Sequence, residues 1–141
     1  MQATHRVTRL VEWADTDAAG IMHFSAYFIF MEQAEHEFLR SRQLSVTMQR
    51  DDQTTISWPR VAASCSFQGS ACFEDLLDID VAIERLGRKS VTYAFQFSRA
   101  GEPIAAGSMT SVCCVIEAHA PPRSIEIPAD FVAKLRPFVT E

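Results

Sequence analysis

The most informative part of the sequence is Asp15-Thr16-Asp17-Ala18-Ala19-Gly20-Ile21-Met22-His23-Phe24-Ser25-Ala26-Tyr27. Immediately before it, residues 8–13 have the composition of a short strand. Residues 14–20 contain several turn formers, which predict a loop. After it, residues 25–42 are rich in Glu, Ala, Met, Leu and Phe and lack Gly and Pro, which predicts a helix with Ser25 as its N-cap. The stretch therefore predicts a loop that leads directly into a long helix.

The predicted helix is apolar over a wide arc of its surface. Apolar side chains recur at helical spacings, at Tyr27, Phe28, Phe30, Met31, Ala34, Phe38 and Leu39. A helix with such a broad apolar face is mostly surrounded by protein. We therefore expect other elements to cover most of this helix.

Most of the chain after residue 47 is typical of β-structure. Residues 54–67, 76–85, 90–99 and 105–117 are rich in strand formers, and turn signals separate them at Gly69, Gly87 and Ala100-Gly101. The near-alternation of apolar and polar residues over 90–98 favours an antiparallel strand with one covered face. Pro128 is suited to the first position of a closing helix that runs to about Arg136. One wide-faced helix and a sheet large enough to wrap it predict an α+β fold.

Length and charge narrow the class of protein. The chain has 141 residues, of which 48% are hydrophobic and 22% charged, so residues 1–141 are expected to form one globular domain. A net charge of -5 argues against a broad nucleic-acid surface. Apolar runs are too short to span a bilayer, and the first residues do not resemble a signal peptide. We expect a cytoplasmic protein with no nucleic-acid or membrane partner.

The four cysteines do not have the spacing of a metal site. Cys65, Cys72, Cys113 and Cys114 form no C-x-x-C pair, and histidine partners at zinc-site spacings are missing. Each cysteine lies among apolar and small residues, so we interpret all four as buried thiols. The expectation is a protein with no metal and no dissociable cofactor.

The stretch from Asp15 to Tyr27 resembles the D-x-D-x-x-G-x-x-x-x-x-x-Y signature of the 4-hydroxybenzoyl-CoA thioesterase family. Three other segments are also similar to this family: Trp58-Pro59 with the strand at 63–67, the turn at 87–90, and the helix entry at 125–131. The resemblance covers nearly the whole chain. It implies a hotdog fold, in which a curled antiparallel sheet wraps one long central helix.

Asp17 is the candidate catalytic residue of the first stretch. Thioester hydrolysis requires an activated nucleophile and a group that stabilises the oxyanion. Asp17 lies a few residues before the helix, whose free N–H groups, including that of Phe24, can polarise a carbonyl. Gly20 allows the backbone to turn and a substrate to approach closely. From spacing alone, the favoured interpretation is that Asp17, like Asp15 and Thr16, only caps a turn.

The resemblance assigns roles to this residue and to a set of others. It implies that Asp17 either attacks the thioester carbonyl or activates a water molecule. It also implies that the acyl group lies against the central helix, near His23, Tyr27, Glu32 and Trp58. Three alternatives stay open: Glu32 is a solvent-facing charge, Trp58 fills the core, and His23 lies at the edge of the pocket or at an interface.

The turn between the second and third predicted long strands carries two adjacent cations. Arg88 and Lys89 follow Gly87 and precede Ser90. Cations in a turn are free to meet solvent-exposed phosphates, although most such pairs only improve solubility. The resemblance favours contact of Arg88, Lys89 and Ser90 with the phosphates of coenzyme A.

The sequence is thus interpreted as an acyl-CoA thioesterase that acts on a small aromatic or a short- to medium-chain acyl group. Coenzyme A is then part of the substrate and not a cofactor. The resemblance implies sites between subunits, hence a homodimer or a homotetramer built as a dimer of dimers. The alternatives are a hotdog dehydratase, which the D-x-D-x-x-G stretch disfavours, and an acyl-CoA-binding domain without catalysis.

Overall fold

A computed structural model describes residues 3–51 and 53–140 of the chain. Its strands are β1 (His5–Leu10), β2 (Thr47–Gln49), β3 (Thr54–Ser57), β4 (Arg60–Phe67), β5 (Leu76–Leu86), β6 (Ser90–Arg99), β7 (Glu102–Val112), β8 (Cys114–Glu117) and β9 (Arg123–Ser124). Its α-helices are α1 (Phe24–Ser41) and α2 (Ala129–Leu135). The expected combination of antiparallel strands with a long helix is confirmed.

The main sheet contains five antiparallel strands in the order β1-β5-β6-β7-β4. Side chains alternate between its faces, because successive residues of a strand point to opposite sides. Along β5, Leu77, Ile79 and Val81 are fully buried, whereas Asp78 and Asp80 are only partly covered. The buried face lies against α1, whose inner side carries Phe30, Met31, Ala34 and Phe38.

A glycine in the main sheet allows α1 to come close. A Cβ atom at Gly107 of β7 would lie 2.3 Å from Sδ of Met31. This distance is far below van der Waals contact, so a larger residue would push the helix and the sheet apart. Met31 is fully buried, and its thioether fills the space that the missing side chain leaves.

The helix begins one residue before the expected N-cap. His23 is the N-cap, and its Nδ1 accepts a hydrogen bond of 3.2 Å from the backbone N–H of Ser25. The prediction of Ser25 as N-cap was therefore wrong. A serine hydroxyl is the commoner cap, but an imidazole nitrogen accepts the hydrogen bond here.

A second, smaller sheet has the strand order β2-β3-β8-β9. Two segments that were expected to be continuous strands each divide between the two sheets. Residues 54–67 break at Pro59, which has no N–H to donate to a sheet. Residues 105–117 break at Cys113, whose N–H instead donates to the carbonyl of Lys89 over 2.7 Å.

Two further boundaries differ from expectation. The first strand is His5–Leu10, and Trp13 opens a 3-10 turn instead of ending the strand. Pro128 is the N-cap of α2 and not its first helical residue, with an extended ψ of 145°. A proline fits both positions, because neither requires its missing N–H.

The cysteines are only partly as expected. Cys113 and Cys114 are buried, but Cys65 is partly exposed and Cys72 is exposed, so the prediction of four buried thiols was wrong. The small neighbours of Cys72 belong to an irregular surface segment between β4 and β5. Over residues 3–51 and 53–140, no helix is long and apolar enough to cross a membrane.

Candidate active site

The loop between β1 and α1 is held by the backbone and by two aspartates. The carboxylate of Asp15 accepts a hydrogen bond of 2.9 Å from the N–H of Glu12, and its carbonyl accepts one of 2.7 Å from the N–H of His23. These contacts fix where α1 begins. Asp15 therefore has the structural role expected of a turn residue.

Asp17 is oriented by a tight turn of the same loop. Its backbone N–H donates to the carbonyl of Ile21, and its carbonyl accepts from the N–H of Gly20, both over 2.9 Å. Gly20 has a φ of +80°, a conformation that residues with a Cβ atom rarely adopt. The Oδ1 atom of Asp17 accepts a hydrogen bond of 2.8 Å from Ala19 N–H, and Oδ2 has no partner among the described residues. One carboxylate oxygen is thus anchored, and the other is available.

The Asp17 carboxylate borders a cleft of about 280 Å³. The cleft is lined by Asp17, Ile21, Met22, Phe24, Tyr27, Phe67, Gly69 and Ser70. Its apolar floor is the buried ring of Tyr27, which packs edge to face against Phe67 and Phe97 at centroid distances of 5.0 and 5.2 Å. Such a cleft suits an apolar group that carries one polar, reactive end.

The N-terminus of α1 opens at the same cleft. The backbone N–H of Phe24 has no hydrogen-bond partner among the described residues, whereas the N–H groups of Ser25 and Ala26 both bond to His23. The Phe24 ring is 62% exposed and stacks on the His23 ring at 4.7 Å. A free N–H at a helix N-terminus is a donor for developing negative charge.

Of the residues expected around the acyl group, only Tyr27 lines this cleft itself, and His23 lies beside it. Glu32 lies two turns further along α1, 54% exposed, with its carboxylate 3.7 Å from the guanidinium of Arg60. Trp58 is buried in the core against the ring of Phe131 at 5.6 Å. A single chain therefore does not bring Glu32 or Trp58 to Asp17. Trp58 fills the core, which was one of the two interpretations drawn from the sequence.

A buried carboxylate next to Glu32 was missed at the sequence level. Glu35 is 1% exposed and is held by both terminal nitrogens of Arg60, which also donates to the hydroxyl of Ser111 over 2.7 Å. Burial raises the pKa of Glu35 to about 7, although Arg60 acts in the opposite direction. A helical Glu three residues from another looks like a surface charge, and only the fold brings Arg60 to it.

The predicted coenzyme A turn lies beside a different cleft, of about 500 Å³. Its walls include Arg85, Arg88, Glu126 and Arg136, above the apolar side chains of Leu86, Ile127 and Val132. Arg88 is not free, because its guanidinium pairs with the carboxylate of Glu126. This pairing raises the pKa of Arg88 and lowers that of Glu126. Lys89 is exposed, and Ser90 closes the turn by accepting from Gly87 N–H over 2.8 Å.

The carboxylates, histidines and cysteines of residues 3–51 and 53–140 form no cluster of three or more that could hold a metal ion. Among the described residues, the Asp17 carboxylate accepts its one hydrogen bond from the backbone N–H of Ala19.

The chain is similar in sequence or in fold to three proteins that are named as thioester hydrolases. The chain is 31% identical to a 1,4-dihydroxy-2-naphthoyl-CoA hydrolase of Prochlorococcus marinus over 107 residues, which are 72% of this chain and 70% of the relative. The structure of a gentisyl-coenzyme A thioesterase is 27% identical, with a TM-score of 0.80 over 93% of this chain and 99% of that one. A 4-hydroxybenzoyl-CoA thioesterase, solved as a variant complexed with 4-hydroxybenzoyl-CoA, shares the fold at 20% identity, with a TM-score of 0.78 over 94% and 98% of the two chains.

The resemblance drawn from the Asp15–Tyr27 stretch is confirmed by these likenesses. The sequence profile that matches, over residues 11–135, is described as the thioesterase-like superfamily. It covers the loop of Asp17, the helix α1 and the turn of Arg88. The chain therefore belongs to the thioesterase-like superfamily and is a thioester hydrolase.

Proposed function

We propose that this thioester hydrolase is an acyl-CoA thioesterase in which Asp17 is the catalytic carboxylate. The observation that carries the proposal is the meeting of two groups at one cleft. The anchored carboxylate of Asp17 leaves Oδ2 available, and Phe24, whose backbone N–H has no partner among the described residues, lines the same cleft. These are the nucleophile or base and the oxyanion donor that acyl transfer requires.

Two routes use these groups. In the first, a carboxylate oxygen of Asp17 attacks the thioester carbonyl, the carbon–sulfur bond breaks, and the thiolate leaves and takes up a proton. Water then cleaves the resulting mixed anhydride to the acid and the free Asp17 carboxylate. In the second, Asp17 removes a proton from a water molecule that attacks the same carbon; the carbon–sulfur bond then breaks, and the thiolate leaves and takes up the proton that Asp17 received. In both routes the N–H of Phe24 stabilises the negative charge on the carbonyl oxygen.

The acyl group would extend from Asp17 along α1, taken here as the central helix of the hotdog fold. Tyr27 and His23 lie at the near end of this path, and Glu32 would meet the acyl group only where two chains share a site, whereas Trp58 fills the core. We therefore propose a homodimer as the minimum unit, and a homotetramer as its further assembly. The apolar cleft around Tyr27 favours a small aromatic or a short- to medium-chain acyl group.

The nucleotide end of coenzyme A would lie at the turn of Arg88, Lys89 and Ser90. The support is the concentration of guanidinium groups at the neighbouring cleft, where Arg85 and Arg136 add to Arg88. Guanidinium groups bind phosphates through paired hydrogen bonds. Because the phosphates of acyl-CoA are remote from its thioester carbonyl, contacts with them would affect binding of the substrate and not the chemical step.

The decisive experiment replaces one carboxylate. Asp17→Asn keeps the size of the side chain but removes the nucleophile or base, so kcat with the best acyl-CoA should fall by at least about 100-fold. The Tm should hardly change, since the amide oxygen can still accept the hydrogen bond from Ala19. Asp78→Asn, which alters an outer-face carboxylate of β5, is the matched control and should keep kcat.

A panel of aromatic and aliphatic acyl-CoAs, assayed for free thiol and ranked by kcat/KM, would define the acyl group. Wild-type protein that binds a non-hydrolysable acyl-CoA analogue but releases no thiol from any member of the panel would contradict catalysis. That outcome favours the alternative of an acyl-CoA-binding domain. An Asp17→Asn variant that melts earlier yet hydrolyses at the wild-type rate would make Asp17 a turn residue only.

A further inference from the structure

Part of the lining of the Asp17 cleft comes from an irregular segment between β4 and β5. Residues 68–75 contain no regular strand, yet Gly69 and Ser70 of this segment line the cleft. The N–H groups of Gln68 and Gly69 both donate to the carbonyl of Ile104, at 2.9 and 3.0 Å. These bonds fix the start of the segment and leave residues 70–75 to be held by other contacts.

Arg99, the last residue of β6, holds this part of the wall directly. Its Nη1 atom donates to the backbone carbonyl of Ser70 over 2.9 Å and to Oδ2 of Asp75 over 2.7 Å. The same Oδ2 accepts a hydrogen bond of 2.8 Å from the N–H of Cys72. Two side chains thus tie three positions of the segment to the end of a core strand.

The segment is tied in turn to the loop that carries Asp17. The carbonyl of Ala71, which is fully buried, accepts a hydrogen bond of 2.7 Å from the N–H of Met22. The N–H of Val11 donates to the carbonyl of Asp75 over 2.8 Å, at the start of the same loop. The two walls of the cleft are therefore connected through residues that Arg99 and Asp75 hold in place.

We propose that Arg99 and Asp75 are positioning residues for the thioesterase reaction. They fix the wall of Ser70 and Ala71, and through Met22 they fix the distance between that wall and the Asp17 loop. This inference rests on the proposed function, in which the thioester carbonyl must lie between Asp17 and the N–H of Phe24. Small displacements of reacting groups cost large factors in rate, so a loosened wall lowers kcat without removing a catalytic group.

The arginine is suited to this task by its shape. One guanidinium nitrogen serves both Ser70 and Asp75, while Nη2 pairs with Glu102 at 2.8 Å. A lysine ammonium carries a comparable charge but not the planar arrangement of donors. Among the described residues, the Glu102 side chain pairs with Arg99 and has no hydrogen bond or ion pair to residues 68–75, so it provides a matched control within the same network.

The experiment compares Arg99→Ala, Arg99→Lys and Glu102→Gln with the wild type, each at a temperature well below its own Tm. Arg99→Ala should lower kcat by about tenfold, with a smaller change in KM, and Arg99→Lys should recover part of that loss. Glu102→Gln should keep kcat within about twofold, because an exposed ion pair contributes little. Equal kcat values for Arg99→Ala and Glu102→Gln would overturn the proposal.

Hydrogen exchange of the backbone amides gives a second measurement that does not depend on turnover. In Arg99→Ala the N–H groups of Cys72 and Met22 should exchange faster than in the wild type, while in Glu102→Gln they should not. Unchanged exchange in Arg99→Ala would overturn the positioning role even if the enzyme is active. Absence of hydrolysis in the wild type would instead count against the proposed function, and exchange would still decide the role of Arg99.

Discussion

The ionised carboxylate of Asp75 stabilises the segment that lines the Asp17 cleft. The N–H of Cys72 and the guanidinium of Arg99 both donate to it, and they hold its pKa below the ordinary value. A group whose pKa is lower in the folded state stabilises that state above its unfolded pKa. This contribution is lost as the pH falls through the folded pKa.

We therefore predict that Asp75→Asn lowers the Tm at pH 7, because the amide cannot supply the negative charge that Arg99 meets. The difference in Tm between wild type and variant should shrink as the pH falls below about 4, where a free aspartate takes up its proton. Thermal melts at several pH values between 7 and 2.5 measure this difference. A difference that stays constant over the whole range would show that the charge of Asp75 does not matter.

Single residues also set the limit of what the sequence predicts. The loop of Asp17 and the start of α1 depend on neighbours in the chain, so the turn at Gly20 was predictable to within a residue. His23 was not foreseen as the N-cap because imidazole caps are uncommon. The sequence does not show that Glu35 pairs with Arg60 or that Asp75 pairs with Arg99, because the two partners of each pair lie more than twenty residues apart.

At the scale of elements, α1 and the strands β5, β6 and β7 were predictable because their patterns are long and periodic. The divisions at Pro59 and Cys113 were not, although Pro59 was a visible signal. A chain segment can leave one sheet and continue as a strand of a second sheet. Its composition stays typical of a strand, so it does not predict where the segment changes sheets. Gly107 likewise has a meaning only once Met31 of α1 is known to lie over it.

An ion pair joins the turn between β5 and β6 to the segment before α2. It bears on the proposed binding of coenzyme A at that turn. Arg88 pairs with Glu126, and the backbone N–H of Ile127 donates to the carbonyl of Arg88 over 2.9 Å. If Arg88 binds a phosphate of coenzyme A, that phosphate must compete with the Glu126 carboxylate. In that case the carboxylate would weaken binding of the nucleotide.

We predict that Glu126→Gln lowers KM for acyl-CoA by about twofold to fivefold at low salt, the range expected for losing an exposed charge contact. The value of kcat should hardly change, because the contact is remote from the thioester. Steady-state kinetics at two ionic strengths test this, with Glu117→Gln, which removes an exposed pair with Arg123, as the control. An unchanged or higher KM at low salt would mean that Arg88 does not bind the phosphates.

At the scale of the whole molecule, the described strands leave the main sheet open at both ends. β1 pairs only with β5, and β4 pairs only with β7, within residues 3–51 and 53–140. The β4 edge also exposes Val61 and Phe67, at 62% and 48% of their surfaces. Open edges are normally protected, and an exposed edge with apolar side chains is a template for pairing with another chain.

We predict that the protein is a homodimer or larger at micromolar concentration, because an exposed apolar edge is stabilised by pairing with a second copy. Val61→Lys places a charge on the β4 edge and should shift the mass measured by static light scattering towards the monomer. The same variant should lose hydrolysis in parallel, because Glu32 would reach the acyl group only in a site shared between chains. Leu10→Lys, on the β1 edge and 45% exposed, is the control for an added lysine. A wild-type monomer that hydrolyses acyl-CoA at full rate would contradict the dimer and the shared site together, and would confine catalysis to the cleft of a single chain.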